Sequence, residues 1–138
     1  VTVPEHLRAR IRAQAGARCG CCLSAHRCVF APLEIDHIVP SAHGGTDAEE
    51  NLWLACRMCN GFKSDRMHGR DPLTGQEMRL FGPRRKRWTE HFVWSADGTR
   101  IAGQTPCGMA TTTVLRPNNV IAVTVRREWV AAGWHPPE

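Results

Sequence analysis

Residues 33–65 read LEIDHIVPSAHGGTDAEENLWLACRMCNGFKSD, and this stretch decides the fold. Residues 33–39 read as a strand that ends at Pro40, and residues 41–50 as a loop turning at Gly44-Gly45. Residues 51–55, with Leu52, Trp53 and Leu54, make a second short strand. Cys56-Arg57-Met58-Cys59 forms a knuckle, and a helix is expected from about residue 58 to 67.

A second knuckle, Cys19-Gly20-Cys21-Cys22, lies upstream. Cys19 and Cys22, then Cys56 and Cys59 after a gap of 33 residues, repeat the two-residue spacing that lets paired sulfurs bind one tetrahedral ion. Four thiolates close such a site, and closed zinc sites are structural. The long gap makes the ion tie together the ends of the whole two-stranded unit. Seven cysteines is an odd count, which suits metal-binding thiols better than a disulfide framework. Cys21, Cys28 and Cys107 fall outside the ligand set. Unligated core cysteines would leave the repeated spacing without a purpose; a thiol redox protein is the other reading of these pairs.

Asp36-His37 is followed by Asn51, 15 residues after Asp36, and by Asn60, 9 residues further on. An Asp-His pair alone says little. Together, LEIDHIVP, the Gly44-Gly45 pair, ENLWLAC and CNGFKSD resemble the Asp-His-Asn-Asn form of the HNH nuclease motif, over about residues 16–67. Cys19, Cys22, Cys56 and Cys59 resemble the zinc-knuckle subclass of that family, and the HNH domains of RNA-guided nucleases have similar spacing. The resemblance implies a ββα-metal core and metal-dependent hydrolysis of DNA to 5′-phosphate and 3′-hydroxyl ends. It implies His37 as the general base that deprotonates water, a task suited to imidazole near neutral pH. It implies Asp36 and Asn60 as ligands of the catalytic cation, and Asn51 as a brace that keeps the His37 ring aimed. Many family members carry histidine at the position of Asn60, which favours zinc or nickel. The carboxylate and amide oxygens here suit Mg²⁺ or Mn²⁺. Strand alternation would send Asp36 and His37 to opposite faces, so the strand is expected to end or twist at this pair.

The formal net charge is +5, and Lys63 and Lys86 are the only lysines. Arginine forks suit phosphate oxygens, so composition leaves open both a nucleic-acid partner and a solvated basic surface. Lys63, three residues past Asn60 on the same helical side, is a candidate phosphate contact or an exposed lysine. Arg84, Arg85, Lys86 and Arg87, beside Trp88, are candidate backbone contacts, or else a solvated loop. Glu34 reads as a strand-surface carboxylate, and His43 and His68 as surface histidines.

Residues 4–15 read as an N-terminal helix bearing Arg8, Arg10 and Arg12. Past the motif, residues 69–75 hold turn chemistry, residues 91–102 a hairpin turning at Asp97-Gly98, and helices follow through Leu115 and over residues 120–132. Trp88, Phe92, Trp94 and Ile101 suit a core better than a stacking platform. This downstream string also resembles an extension that follows the motif in some bacterial HNH proteins. The expectation is one α+β domain over residues 1–138, with a motif core at 16–67 and an extension of hairpin plus helices at 68–138. The function expected is that of a DNA endonuclease with structural Zn²⁺ and catalytic Mg²⁺ or Mn²⁺; a non-catalytic zinc-ribbon module that binds nucleic acid is the alternative. No stretch has the apolar length of a membrane span, and the first residues lack a signal-peptide core, so a cytoplasmic location is expected.

Overall fold

A computed structural model describes residues 3–137. Its contacts divide the chain into two units, Val1–Met67 with Gly82–Arg85, and His68–Phe81 with Lys86–Glu138.

The first unit carries the sequence motif. Helix α1 spans Glu5–Gln14, with Pro4 just before its first turn. Pro4 has no N–H to leave unsatisfied there and a φ already suited to helix entry. Ile11, fully buried, packs with Val3 and Leu52, and Leu7 and Ile35 close over them. Strand β1 (Glu34–His37) pairs antiparallel with β2 (Leu52–Ala55) in the register Glu34↔Ala55 to His37↔Leu52. Helix α2 (Arg57–Lys63) follows at once. It is shorter than expected because Ser64 takes a left-handed φ of 51°, which a helix cannot continue through.

Two devices fold the β1–β2 loop. Short 3₁₀ turns at Ser41–His43 and Glu49–Asn51 bracket it. Gly44 sits at φ 85°, and a side chain at Gly45 would overlap the Val39 carbonyl oxygen, so neither position tolerates a Cβ cheaply. Glu49 then ties the loop to α1, accepting from Arg10 Nε and Gln14 Nε2, both at 2.8 Å.

In the second unit, hairpins β3–β4 (His68–Arg70 and Glu77–Arg79) and β5–β6 (Phe92–Trp94 and Ile101–Gly103) accompany α3 (Trp88–His91), α4 (Pro106–Leu115) and α5 (Val120–Ala131). The β3–β4 hairpin and α3 go beyond the one hairpin and two helices read from sequence. Asp71 builds the first turn, accepting from Leu73 N–H and Thr74 Oγ1, both at 3.0 Å. Asp97 builds the second from Ser95 and Thr99, bonds that hold its carboxyl at about 2. Trp88 packs on Phe92 and on Trp94, ring centroids 5.3 Å apart in both pairs, while Phe92 and Ile101 are buried. Among the described residues no helix is long and apolar enough to cross a membrane.

Candidate functional site

The first knuckle is built against β2. Gly20 N–H donates to the Leu54 carbonyl (2.8 Å), and Cys19 N–H to the Ser24 carbonyl (3.0 Å). A side chain at Gly20 would run into Trp53 and Pro83, so the close approach requires glycine. The second knuckle opens α2: Cys56 is its N-cap, and its sulfur accepts from Cys59 N–H at 3.4 Å. The sulfurs of Cys19, Cys22, Cys56 and Cys59 all lie within 4.8 Å of one another, and all four residues are buried. A tetrahedral ion with Zn–S near 2.3 Å separates its sulfurs by roughly 3.8 Å, and Cys22 and Cys56 stand 3.6 Å apart. The cluster therefore fits a structural zinc. Hydrogen bonds from Cys19 and then from Cys56 and Cys59 hold the Cys22 thiol well below its ordinary value, with Ser24 Oγ adding a contact at 2.9 Å. Cys21 lies outside the cluster, and burial pushes its thiol up.

Strand alternation governs the second centre. Glu34 and Asp36 project toward α2, where Glu34 Oε1 accepts from Asn60 Nδ2 (2.9 Å) and Asp36 Oδ1 from Lys63 Nζ (2.8 Å). Ile35 turns to the α1 core instead. His37 shares that opposite parity, and β1 ends with it. Beyond β1, Ile38 N–H reaches the Asn51 carbonyl at 2.8 Å.

Among the described residues β1 pairs with β2 alone, and a cleft of about 510 Å³ takes its polar lining from Arg8, Glu34, His37, Asp47, Arg57 and Asn60. The imidazole of His37 is 31% exposed, and its Nε2 meets Asp47 Oδ1 at 2.7 Å. Asn51 lies beneath the loop. Its Oδ1 accepts from Val39 N–H (2.8 Å), and its Nδ2 donates to the carbonyls of Val39 (3.0 Å) and Thr46 (2.8 Å). That places Asp47 directly after a tethered residue.

His37 and Asn60 thus share the cleft, whereas Asp36 does not line it. Asp36 is 8% exposed, and burial pushes its carboxyl up against the opposing charge of Lys63. Lys63 corrects the sequence reading. It is buried, and its ammonium also donates to the carbonyls of His37 (2.7 Å) and Ile38 (3.4 Å), so it is no surface phosphate contact. Arg84 is likewise committed to the scaffold: Nε and Nη2 donate to the Leu52 carbonyl (3.2 and 3.1 Å), Nη2 also reaches Gln14, and the guanidinium lies 4.9 Å over the Trp53 ring. Arg85, Lys86 and Arg87 are exposed. Asp47 and Arg57 went unread in the sequence. The only hint of Asp47 is its place just after the turn that folds the loop back toward β1.

Residues 19–66 match the family model described as HNH endonuclease. No curated protein and no solved structure matches the chain. The match suggests nuclease chemistry in general, and the thiolate cluster that fits zinc lies within the matched segment. Over residues 19–66, about a third of its length, the chain is similar to the HNH endonuclease family.

Proposed function

We propose that the first unit is a metal-dependent endonuclease that hydrolyses DNA phosphodiester bonds with His37 as general base. The observation that carries this reading is the setting of His37, whose ring opens into the cleft while Asp47 holds its Nε2 at 2.7 Å. A carboxylate on Nε2 favours the tautomer protonated there, which leaves Nδ1 to take the proton of the attacking water. The water oxygen then bonds to phosphorus as the P–O3′ bond breaks, the departing O3′ takes a proton from solvent, and Asp47 stabilises the imidazolium that forms. Asn51 keeps Thr46, and so Asp47, against β1 through its three hydrogen bonds.

Asn60 in the cleft and Asp36, buried outside its lining with Oδ1 held by Lys63, would offer Mg²⁺ or Mn²⁺ an amide and a carboxylate oxygen, both hard donors. Glu34 takes the Asn60 Nδ2–H, which turns the amide so that Oδ1 is the atom left for a cation. Lys63 takes Oδ1 of Asp36 and fixes that carboxylate on the α2 side of β1. When bound, the cation supplies charge stabilisation at the phosphate and the leaving oxygen. This donor set, with zinc confined to the thiolates, would suit a ββα-metal arrangement in an oxygen-ligated form.

The test pairs two assays on folded, zinc-loaded protein: nicking of supercoiled plasmid in Mg²⁺ or EDTA, and gel-shift binding in Ca²⁺. His37→Ala should cut roughly two to four orders of magnitude more slowly, the usual worth of a positioned general base. Its DNA affinity should hold, since phosphate contacts dominate binding. A folded His37→Ala that cuts at the wild-type rate would leave a non-catalytic, zinc-bearing DNA-binding module as the better reading.

A further inference from the structure

Three cations, Lys63, Arg57 and Arg8, stand near the proposed reacting centre, and the structure treats them differently. Lys63 is buried and spent on Asp36 and on two strand carbonyls. Arg57 is exposed, lines the same cleft as His37 and Asn60, and has no hydrogen bond or ion pair among the described residues. Glu34 and Asp47 line that cleft too, yet Glu34 is bonded to Asn60 and Asp47 to His37. Arg57 and Asn60 are three apart on α2, so their side chains share one helical side. Arg8, from α1, also lines the cleft, but its Nε is tied to the Val3 carbonyl at 3.1 Å.

We infer that Arg57 is the residue that grips the scissile phosphate, its guanidinium bridging two non-bridging oxygens while His37 activates water. The assignment rests on the nuclease reading above. A cleft that receives a phosphodiester must offset its charge, and an unengaged guanidinium fork matches two phosphate oxygens at once. Lysine at this position would supply the charge without the fork. Because the developing charge lies on those same oxygens, the contact strengthens in the transition state and belongs in kcat as well as in binding.

Two readouts test it, both on variants whose zinc content and unfolding midpoint match wild type. In plasmid nicking with Mg²⁺, Arg57→Ala should lower kcat/KM by roughly 10²-fold, a loss of the size seen for one transition-state charge contact, and Arg57→Lys should recover only part of it. In the His37→Ala background, which does not consume the probe, a labelled DNA duplex is titrated by fluorescence anisotropy across a salt series. Arg57→Ala should reduce the slope of log K against log [salt] by about one, the signature of one lost phosphate contact. An unchanged slope together with unchanged kcat/KM would overturn the assignment while leaving His37 catalysis standing. If wild type fails to nick in any metal, the nuclease reading falls, and the salt slope alone decides whether Arg57 holds a phosphate.

Discussion

Lys63 and Asp36 form a buried pair that sequence reasoning split between two jobs, a surface contact and a metal ligand. Each side chain is 10% exposed, with 2.8 Å between Nζ and Oδ1. Lys63→Met keeps the aliphatic stem and removes the ammonium, so a buried carboxylate and the His37 carbonyl lose their partner. Breaking one side of such a pair costs about 3–5 kcal/mol, which lowers the midpoint of a unit this size by on the order of 12–40 °C. The pH dependence has a definite sign. Burial raises the Asp36 carboxyl, with Lys63 the largest opposing influence. A folded value above the unfolded one means the associated stability is fully present below the unfolded value and is lost as pH rises through the folded one. Removing Lys63 raises the carboxyl further, so the variant's deficit should be larger at about pH 8 than at about pH 5. Asp36→Leu/Lys63→Met, with both charges gone, should return close to wild-type stability, since apolar replacement of a buried pair is often neutral or better. Urea denaturation followed by circular dichroism, on the two single variants and the double, measures the coupling. Additive losses in the double variant, or a Lys63→Met protein that unfolds with the wild type, would refute the buried pair.

Two other predictions concern the scaffold of the site. Cys19→Ser or Cys56→Ser should lose zinc and destabilise the first unit, because structural zinc contributes folding free energy directly, whereas Cys21→Ser, Cys28→Ser and Cys107→Ser should keep wild-type zinc stoichiometry by elemental analysis. Asn51→Ala removes three loop hydrogen bonds and should lose roughly 2–4 kcal/mol while retaining zinc; nicking should fall with it, and full activity in the variant would detach Asn51 from the aim of His37.

The zinc cluster was legible because geometry leaves so little freedom: two sulfurs two residues apart can share an ion, and two such pairs at the ends of a hairpin meet only if the strands are antiparallel. The strands were legible from short apolar runs, and α2 from its place directly after the second knuckle. What sequence could not show was which polar groups would find one another across the fold. Asn60 and Lys63 rise about 4.5 Å along a helix, and Glu34 and Asp36 about 6.7 Å along a strand, near enough for two parallel pairings. That match could have placed Lys63 inside. Asp47 gave no such clue, because its meeting with His37 depends on the tight turn at Gly45 and on the Asn51 tether. The β3–β4 hairpin and α3 were missed because elements of three or four residues, one containing Gly69, are too short for any period to register.

The second knuckle links the four-cysteine cluster that fits zinc to the cleft proposed to cut. Cys56 is followed directly by Arg57, and Cys59 by Asn60. On a helix each step turns by about 100°, so cysteines held in the buried cluster force their next neighbours onto a different side, the one lining the cleft. The first knuckle is bonded to the Leu54 carbonyl of β2, whose ladder partner is Ile35, one residue before Asp36. An ion at the four sulfurs therefore fixes the pitch and rotation of α2 against the strand that bears His37. Glu34 to Asn60 and Asp36 to Lys63 lock the same rotation from the strand side, away from the thiolates. With α2 only seven residues long, neither anchor alone gives a helix of this length much intrinsic stability. A zinc at these thiolates would be structural in its chemistry, and what it would hold in place is the orientation of Arg57 and Asn60 toward the cleft.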